Sequence, residues 1–469
     1  MALNDCRGIP VSTQNRTLLE KYEQAVELSA GYFVDPFATI QAVLEEDPTF
    51  AAAHCFRAGL IVTATDRSLV PILGESVAAV DALGRRANER ERAHIAAARK
   101  WLEGDFAGSV RAYGDILLDY PRDLFALQVA HVGDFFLGAS TMLRDRVAQV
   151  MPHWDANTPG YGYVLGMHAF GLEETALYAK AEDTGRRALE INRRDPWAVH
   201  AVAHVMEMQG RVRDGIDWLG SREPDWSRDN GFAFHNWWHS ALFHLDLGET
   251  QHAIDLYDRR IRPTPSQVPL EMIDASALLW RLELRGVDVG ARWDRLADAW
   301  APASEDAYYA FNDVHAVMAL VGSKRIDRAQ RVVESLERRA SGTDTNAMMS
   351  REVGLPLAQA LVAFAKGAYA DCANLLIPIR TIANRFGGSH AQRDVIHLTL
   401  SEAALRAGNQ RLARALAAER TQLKPTSPFN WQFTARALEA GGDADGAMKA
   451  RENAEARRKA QIGGHRAVA

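Results

Sequence analysis

The sequence predicts an all-α fold, a superhelix of paired antiparallel helices, on three observations. Apolar residues recur at helical spacing throughout, as in RTLLEKYEQAVELSAGYF near the start and SEAALRAGNQRLARALAAERTQL near the end. Alternating strand patterns bounded by turn dipeptides are scarce. Small and turn-forming residues repeat at a spacing of 34 residues. We therefore expect more than about 60% helix, essentially no sheet and a right-handed superhelix.

The repeat is carried by three pairs of small residues, each 34 residues apart: Gly104 and Gly138, Ala181 and Gly215, Gly408 and Gly442. Pro121 and Pro425 each follow one of these glycines by 17 residues. Glycine permits a tight turn, and proline ends the second helix. The pattern resembles the tetratricopeptide repeat, a helix–turn–helix unit. That resemblance implies a single α-solenoid over residues 1–469, with the clearest repeats at about 90–260 and 355–460.

Short polar breaks separate the predicted helices. Each contains glycine, proline or capping residues. In chain order they are RSLVPILGES, HWDANTPGYG, GSREPDWSRDNG, RRIRPTPSQVP, ASGTDTNAMMSREVGLP and LKPTSP. The last segment, ARENAEARRKAQIGGHRAVA, has no apolar stripe after Ala456. We expect it to form a solvated capping helix that frays near Gly463, leaving Arg466 to Ala469 exposed.

Six longer segments narrow the resemblance. They are DPWAVHAVAHVMEMQGR (195–211), HNWWHSALFHLDLGE (235–249), LLWRLELRGVDVGARW (278–293), FNDVHAVMAL (311–320), REVGLPLAQALV (351–362) and GGSHAQRDV (387–395). In this order they resemble the tetratricopeptide repeat protein 38 family, from DCRGIPVST to LKPTSP. The resemblance implies an all-helical superhelix but no catalytic assignment, so the function is argued from the side chains.

Composition excludes several classes of protein. Of the 469 residues, 47% are hydrophobic and 24% charged, which is typical of a globular protein. A net charge of −6 lacks the basic excess of nucleic-acid-binding proteins. Cys6, Cys55 and Cys372 are too far apart for a disulfide framework or a cysteine-rich metal site. Without a signal-peptide pattern or a membrane-length apolar stretch, we expect a cytoplasmic protein with no membrane or nucleic-acid partner.

Histidines carry the strongest functional signal. Five of the 15 lie within 45 residues: His200, His204, His235, His239 and His244. His200, His204 and Glu207 stand at i, i+4 and i+7, on one face of a helix. His235 and His239 stand four apart in the next repeat. By analogy with the repeat family, these are first-helix positions at the concave groove. Packed helices run about 8–10 Å apart, so the two sets can converge.

This constellation is typical of a metal site. Two imidazoles four residues apart can bind one ion, and a carboxylate one turn on can complete the set. Mixed nitrogen and oxygen ligands suit zinc, iron or manganese. We predict that His200, His204, Glu207, His235 and His239 bind a divalent metal, or act as acid–base catalysts without one. Two alternatives stay open: a polar ligand groove, and histidines satisfied within helix packing, the role expected for His244.

A second set of polar residues lies in FNDVHAVMAL. We predict that Asp313 and His315 take part in catalysis if the superhelix brings them into the groove. A carboxylate two residues from an imidazole does not share its helix face, so both reach one site only if the helix begins there. The alternative is that Asn312 or Asp313 is a helix N-cap, which these residue types favour.

A third set follows two glycines in GGSHAQRDV. Such a turn before a helix presents free N–H groups to an anion, and Arg393 can add a bidentate contact. We predict ligand-binding roles for His390, Arg393 and Asp394, with ordinary capping as the alternative. We also predict that Trp238 lines the groove wall over a ligand, whereas Trp237 packs in the core.

Two classes of function remain. The first is an enzyme that uses the groove as its active site for hydrolysis or another water-dependent step on a small molecule. The second is a non-catalytic scaffold whose groove binds a peptide or protein partner. The sequence contains no G-x-S-x-G elbow, dinucleotide fingerprint or P-loop. His, Glu and Trp in the predicted groove favour the enzyme slightly over the scaffold.

Overall fold

Twelve helix pairs follow one another in the computed structural model, which describes residues 3–463. The first six pairs are α1 (Arg16–Ala30) with α2 (Pro36–Glu46), α3 (Ala51–Val62) with α4 (Val70–Leu83), α5 (Glu89–Leu102) with α6 (Phe106–Asp119), α7 (Leu124–Phe136) with α8 (Ser140–Val150), α9 (Tyr161–Glu174) with α10 (Tyr178–Ile191), and α11 (Pro196–Met208) with α12 (Val212–Ser221). A short α13 (Glu223–Trp226) follows.

The array continues in the same way to the end of the described chain. Its pairs are α14 (Ala233–Asp246) with α15 (Thr250–Leu256), α16 (Pro269–Leu284) with α17 (Arg292–Trp300), α18 (Ala310–Gly322) with α19 (Ile326–Ala340), α21 (Leu355–Ala365) with α22 (Tyr369–Ile379), α23 (His390–Arg406) with α24 (Gln410–Leu423), and α25 (Pro428–Ala440) with α26 (Ala444–Gly463). The short α20 (Thr345–Met349) precedes α21.

Short irregular elements complete the chain. Six single turns of 3-10 or π-helix lie at Arg67–Leu69, Gly84–Arg86, Met151–His153, Tyr257–Ile261, Ser350–Gly354 and Ala383–Phe386. Strands β1 (Leu3–Asn4) and β2 (Pro10–Val11) form a small antiparallel pair. Helices account for 75% of the chain, so the predicted all-α superhelix is confirmed. The exposure predicted for Arg466–Ala469 falls outside the described residues.

The turn inside each pair holds a residue with positive φ at a corresponding position, and the α16–α17 turn holds a second one, Gly290. The residues at the corresponding position are Tyr32, Thr65, Gly104, Gly138, Ala176, Gly210, Gly248, Gly286, Lys324, Gly367, Gly408 and Gly442. Their spacing runs from 33 to 43 residues and is most often 34 or 38. The uniform 34-residue period is therefore wrong for much of the array. Four of the turns use a residue other than glycine, which hides them from a search for glycines.

Successive turns of the superhelix touch each other at these positions. Asn312 Nδ2 donates to the backbone carbonyl of Thr65 (3.0 Å), 247 residues earlier. Asn384 Nδ2 donates to the carbonyl of Gly138 at 3.3 Å, 246 residues earlier. Helix α23 also packs on α11 and α16, and α25 packs on α14. The concave surface that the sequence predicts as a groove is therefore covered by the next turn of the superhelix.

A continuous apolar core runs through the array, from Val11 near the N-terminus to Ala437 in α25. Within residues 3–463, no helix combines the length and apolar character needed to cross a membrane. First helices of the pairs point inward, so polar residues on α9, α11, α14 and α16 are buried against one another.

Candidate functional site

Four imidazoles meet inside the superhelix. His200 and His204 lie on α11, and His235 and His239 lie on α14. One nitrogen of each lies within 4.8 Å of the corresponding nitrogen of the other three. The ring centroids are 4.3 Å apart for His200 and His204, and 4.4 Å for His204 and His239. We call this set the four-histidine cluster. The structure thus brings together the two pairs that the helical spacing singled out.

Two of these histidines are held by carboxylates. His235 Nδ1 donates to Asp274 Oδ2 at 2.6 Å, and His239 Nδ1 donates to Glu207 Oε2 at 2.9 Å. An ionised carboxylate only accepts hydrogen bonds, so the proton of each neutral imidazole sits on Nδ1. Nε2 then keeps its lone pair. A carboxylate on one ring nitrogen and a free lone pair on the other is the arrangement of metal-binding histidines.

The third carboxylate contact involves two adjacent glutamates at the end of α9. His204 Nδ1 lies 3.4 Å from Glu173 Oε2. Glu174 accepts the backbone N–H of His390 at 2.9 Å, and its Oε2 lies 3.4 Å from Arg393 Nη2. Burial raises the pKa of Glu173 well above its usual range, and the charge of Glu174 adds to this shift. Burial also opposes ionisation of Glu174, but His390 and Arg393 outweigh it and lower that pKa.

Several nitrogen atoms of the cluster have no hydrogen-bond partner among the described residues. They include both ring nitrogens of His204, Nε2 of His239 and Nδ1 of His200. The Nε2 atoms of His200 and His235 lie 3.1 Å apart. Two nitrogen ligands of a tetrahedral zinc ion, each about 2.0–2.1 Å from it, would lie about 3.4 Å apart. The spacing fits shared coordination as well as it fits a hydrogen bond.

Burial favours the neutral form of three imidazoles of the cluster. Burial lowers the pKa of His204 to about 4, and it lowers the pKa values of His200 and His239 well below their usual range. For His200 and His239 the neighbouring imidazoles add to this effect. Neutral imidazole is the form that donates a lone pair to a metal.

A cavity of about 340 Å³ opens beside the cluster. His200, His235 and Asp274 supply its polar floor, and Gln128 and Ser29 lie on its wall. Among the described residues that line it, none is Lys or Arg. The remaining wall is largely aromatic and comprises Tyr32, Phe33, Phe125, Phe135, Phe136, Trp197, Phe232 and Phe234.

Two of the predicted site residues have different roles from those expected. Glu207 lies outside the four-nitrogen group and instead accepts a hydrogen bond from His239 Nδ1. Trp238 is completely buried and does not line the cavity, because α14 turns it behind the cluster, where it stacks on His235 at 5.4 Å. Trp237 is partly buried and packs against the apolar core, as predicted.

Asp313 and His315 do not join the four-histidine cluster. His315 Nδ1 donates to the carbonyl of Phe311 in its own helix at 2.7 Å, and its ring contacts Phe311. Burial raises the pKa of Asp313, which senses Asp306 and Arg339 instead. The helix begins before both residues, so they point to different sides. The capping alternative is also wrong, because the N-cap is Tyr309 and Asn312 binds Thr65.

The GGSHAQRDV segment forms a capped helix N-terminus. The anion beside it is a carboxylate of the chain itself, Glu174. Ser389 and Gln392 form a capping box at the N-terminus of α23, as the capping alternative predicts. Glu174 occupies the position expected for a bound anion, with His390 and Arg393 around it. Asp394 faces away and pairs with Arg420 at 2.8 Å. No external ligand is needed to explain these three residues.

Sequence reasoning missed Glu173, Glu174 and Asp274. Asp274 is the acid in the apolar run PLEMIDASALLW, and the two glutamates close the apolar helix YGYVLGMHAFGLEE. An acid on the buried face of an apolar helix requires a partner, and this was the signal that could have found them. His244 lies apart from the cluster, where its Nδ1 donates to Glu249 at 2.5 Å.

The chain resembles several solved structures at low sequence identity and low TM-score. Yeast Tom70 aligns over 97% of both chains with 11% identity and a TM-score of 0.34. Human IFIT1, in its dimer with m7Gppp-AAAA, aligns over 95% of this chain and 90% of its own with 10% identity and a TM-score of 0.36. The Cut9–Hcn1 hetero-tetramer of the APC/C aligns over 96% of both chains with 11% identity and a TM-score of 0.32. At such scores these likenesses carry no argument about ligand or activity.

No protein-family model matches the chain. The narrower resemblance to the tetratricopeptide repeat protein 38 family therefore stays a prediction. What the structure itself shows is the coarser description, an all-α superhelix of paired helices.

Proposed function

We propose that this chain is a metal-dependent enzyme of hydrolase type that acts on a small apolar molecule bound inside its superhelix. The observation that carries the proposal is the four-histidine cluster, in which three imidazoles face carboxylates while their other nitrogens converge. Buried polar atoms are normally hydrogen-bonded, so a group of orphaned nitrogens indicates an ion.

The donor set suits a divalent transition metal. Imidazole is a good ligand for zinc and iron, and all four rings here are neutral or held in the Nδ1–H form by a carboxylate. Asp274 and Glu207, which accept hydrogen bonds from His235 and His239, would orient those two rings and raise their basicity. A bound divalent ion would supply a Lewis acid that activates water or polarises a substrate at the cavity floor.

The cavity selects the substrate class. Its aromatic wall favours an apolar or aromatic group, and its volume of about 340 Å³ suits a small molecule. The lining carries Asp274 and Asp35 but no cationic side chain, which disfavours carboxylate and phosphate substrates. Gln128 and Ser29 offer hydrogen bonds to a neutral polar group at one end of the ligand.

If the chain works without a metal, His235 is the residue that would handle protons at the cavity floor. Asp274 fixes its ring and stabilises a positive charge on it, as in other carboxylate–histidine pairs. His200, 3.1 Å away, faces the same space. In a metal-free reaction, His200 and His235 would together perform the acid–base steps of hydrolysis that the sequence predicts.

Metal analysis of the full chain, purified without a histidine tag, tests the proposal. We expect about one transition-metal ion per chain, retained through gel filtration. His204→Ala should abolish binding, and His244→Ala, a histidine outside the cluster, should leave it intact. Because His204 is completely buried, the alanine variant also loses packing, so His204→Gln serves as a second variant of similar volume.

A cavity variant separates ligand binding from metal binding. Ala64 lines the cavity and is not a member of the four-histidine cluster, so Ala64→Phe should block turnover or binding of apolar ligands while metal content stays unchanged. A wild-type chain that takes up no zinc, iron or manganese when offered each would contradict the metal-dependent proposal.

The alternative is a non-catalytic scaffold, and the same cavity supports it. An aromatic-walled pocket accepts an apolar side chain of a peptide as readily as a small molecule. In that case the cluster would be a structural centre, His204→Ala would lower stability, and Ala64→Phe would weaken peptide binding without any activity to lose.

A further inference from the structure

A second pocket lies further along helices α14 and α16, next to the C-terminal repeats. Its volume is about 60 Å³. A water needs about 10–15 Å³ of such space, so the pocket has room for about four or five atoms of oxygen size. The charged residues that line it are Arg281, Arg285, Arg420, Lys424, Glu207, Asp246 and Asp394.

The three carboxylates that line the pocket, Glu207, Asp246 and Asp394, do not neutralise all four of its cationic side chains. Asp394 pairs with Arg420 at 2.8 Å. Glu207 accepts from His239, and its other oxygen lies 3.7 Å from Lys424 Nζ. Asp246 accepts a hydrogen bond from Ser427. With four cationic and three acidic side chains, the pocket carries one net positive charge.

Arg281 and Arg285 have no carboxylate at ion-pair distance within residues 3–463. Arg281 is buried and donates to the backbone carbonyls of Ala277 (3.0 Å) and Ala391 (2.7 Å). Arg285 Nη1 donates to the carbonyl of Arg281 at 2.8 Å, and its buried Nε has no partner. A desolvated guanidinium without a counter-charge is costly, so an anion here would be stabilising.

The charge of Arg285 survives burial. Desolvation, with Arg281 beside it, lowers its pKa to about 10, which leaves the guanidinium protonated at neutral pH. Phe429 packs against its face at 4.0 Å and fixes the plane of the group. A fixed guanidinium presents its N–H donors in the fork that matches an oxyanion.

We propose that this pocket binds one small oxyanion of phosphate size, held by Arg281, Arg285 and Lys424. The volume admits an ion with four oxygens, and the two unpaired guanidinium groups and the ammonium group supply the donors. The site differs in chemistry from the apolar cavity, which has no cationic lining. Glu207 connects it to the four-histidine cluster through His239, but none of the three proposed donors is a histidine of that cluster, so the proposal does not depend on a bound metal.

Isothermal titration of the full chain with inorganic phosphate, at constant ionic strength set with chloride, tests this inference. We expect saturable binding at one site and a rise in melting temperature beyond that given by chloride. Arg285→Gln should weaken phosphate binding about tenfold or more. Arg406→Gln is the matched control, because Arg406 is a nearby arginine that pairs with Glu402 outside the pocket.

A parallel titration with acetate identifies the source of the oxyanion. Binding of acetate in place of phosphate would assign the pocket to a carboxylate group, and binding of phosphate would assign it to a phosphate. If neither ion binds or stabilises the folded wild-type chain at millimolar concentration, the proposal fails. Equal affinities of the Arg285→Gln and Arg406→Gln variants for phosphate would overturn it as well.

Discussion

At the scale of single residues, the carboxylates behind the imidazoles matter as much as the imidazoles. Asp274 contacts the cluster only through His235, at 2.6 Å. A partner of this kind fixes ring orientation and tautomer, and its loss typically lowers metal affinity by about 10–100-fold.

Asp274→Asn should therefore weaken metal binding by about tenfold or more without abolishing it. The asparagine keeps the volume but loses the negative charge. Competition with a chromogenic chelator measures the change. Glu249→Gln is the control, because it removes a carboxylate from His244, which lies on the same helix but outside the cluster. An affinity for metal equal to that of the wild type would show that Asp274 has no such role.

A different buried carboxylate governs stability at low pH. Asp123 is buried, accepts from Arg90 Nη1 at 2.6 Å and contacts His94 Nε2 at 2.8 Å. Burial alone would raise its pKa, but Arg90 and His94 outweigh burial and hold the pKa far below its usual range. A lowered folded-state pKa contributes stability above the unfolded pKa of about 3.9, and that contribution is lost as pH falls below it.

Asp123→Asn should cost about 3–5 kcal/mol at pH 7, because it leaves Arg90 buried without its counter-charge. The difference from the wild type should shrink as pH falls below about 4. Urea unfolding at several pH values measures both effects. Asp81→Asn, in an exposed pair with Arg99, should cost less than about 1 kcal/mol. A difference that does not change with pH would contradict the assignment.

Residue spacing could predict the histidines but not their partners. His200, His204, His235 and His239 share faces of α11 and α14, the first helices of two successive pairs, so local periodicity was sufficient. Asp274 comes from the next pair, and Glu173 from the preceding pair. Whether Asp274 and Glu173 lie next to the histidines depends on how whole helices pack. The spacing of residues within one helix does not determine this packing.

At the scale of elements, the turn inside each helix pair is also a contact between turns of the superhelix. Gly138 has a φ of 63°, and a Cβ there would lie 1.8 Å from the carbonyl oxygen of Asn384. Gly248 has a φ of 80°, and a Cβ there would point into open space. At both positions the positive φ would strain the backbone of any residue with a side chain. Only at Gly138 would the added Cβ also clash with a neighbour.

Gly138→Ala should cost about 3 kcal/mol or more, because positive φ and a steric clash add together. Gly248→Ala should cost only about 1 kcal/mol, from the backbone term alone. Chemical unfolding of both variants measures the difference. Equal losses would mean that the α7–α8 turn does not contact the Asn384 segment in solution.

Turns that contain glycine could be predicted from the sequence, whereas turns that use another residue at the same position could not. Gly104 and Gly138 show the 34-residue period directly. Ala176 and Lys324 hold the same positive φ without a glycine, at 59° and 60°. Because glycine is preferred but not obligatory there, a search for glycines did not find the turn at Lys324, which lies between the two regions of clearest repeats.

At the scale of the whole molecule, extra residues in many repeats change the architecture from an open groove to an enclosed one. Contacts between pairs such as Asn312 and Thr65 join residues 247 apart in sequence. Small differences in repeat length accumulate over such a distance. Periodicity could therefore predict the array of helices but not the point at which it closes on itself.

Closure should make unfolding cooperative across residues 3–463. Simple repeat arrays interact only with their neighbours and can unfold in parts. Here Trp101 Nε1 donates to Tyr308 Oη at 3.0 Å, and Tyr309 Oη donates to the carbonyl of Phe136 at 2.8 Å, so early and late repeats share buried hydrogen bonds. Separating the two turns would expose these groups and the apolar surface around them.

We therefore expect a single calorimetric transition whose van't Hoff and calorimetric enthalpies agree. Tyr309→Phe deletes the hydroxyl that reaches Phe136 and should lower the melting temperature while keeping one transition. The control is Tyr369→Phe, because Tyr369 packs on Phe364 within its own helix pair. Two resolved transitions in the wild-type chain would mean that the turns of the superhelix unfold independently. The buried cluster would then be reachable without global unfolding, because α23 could lift away from α11.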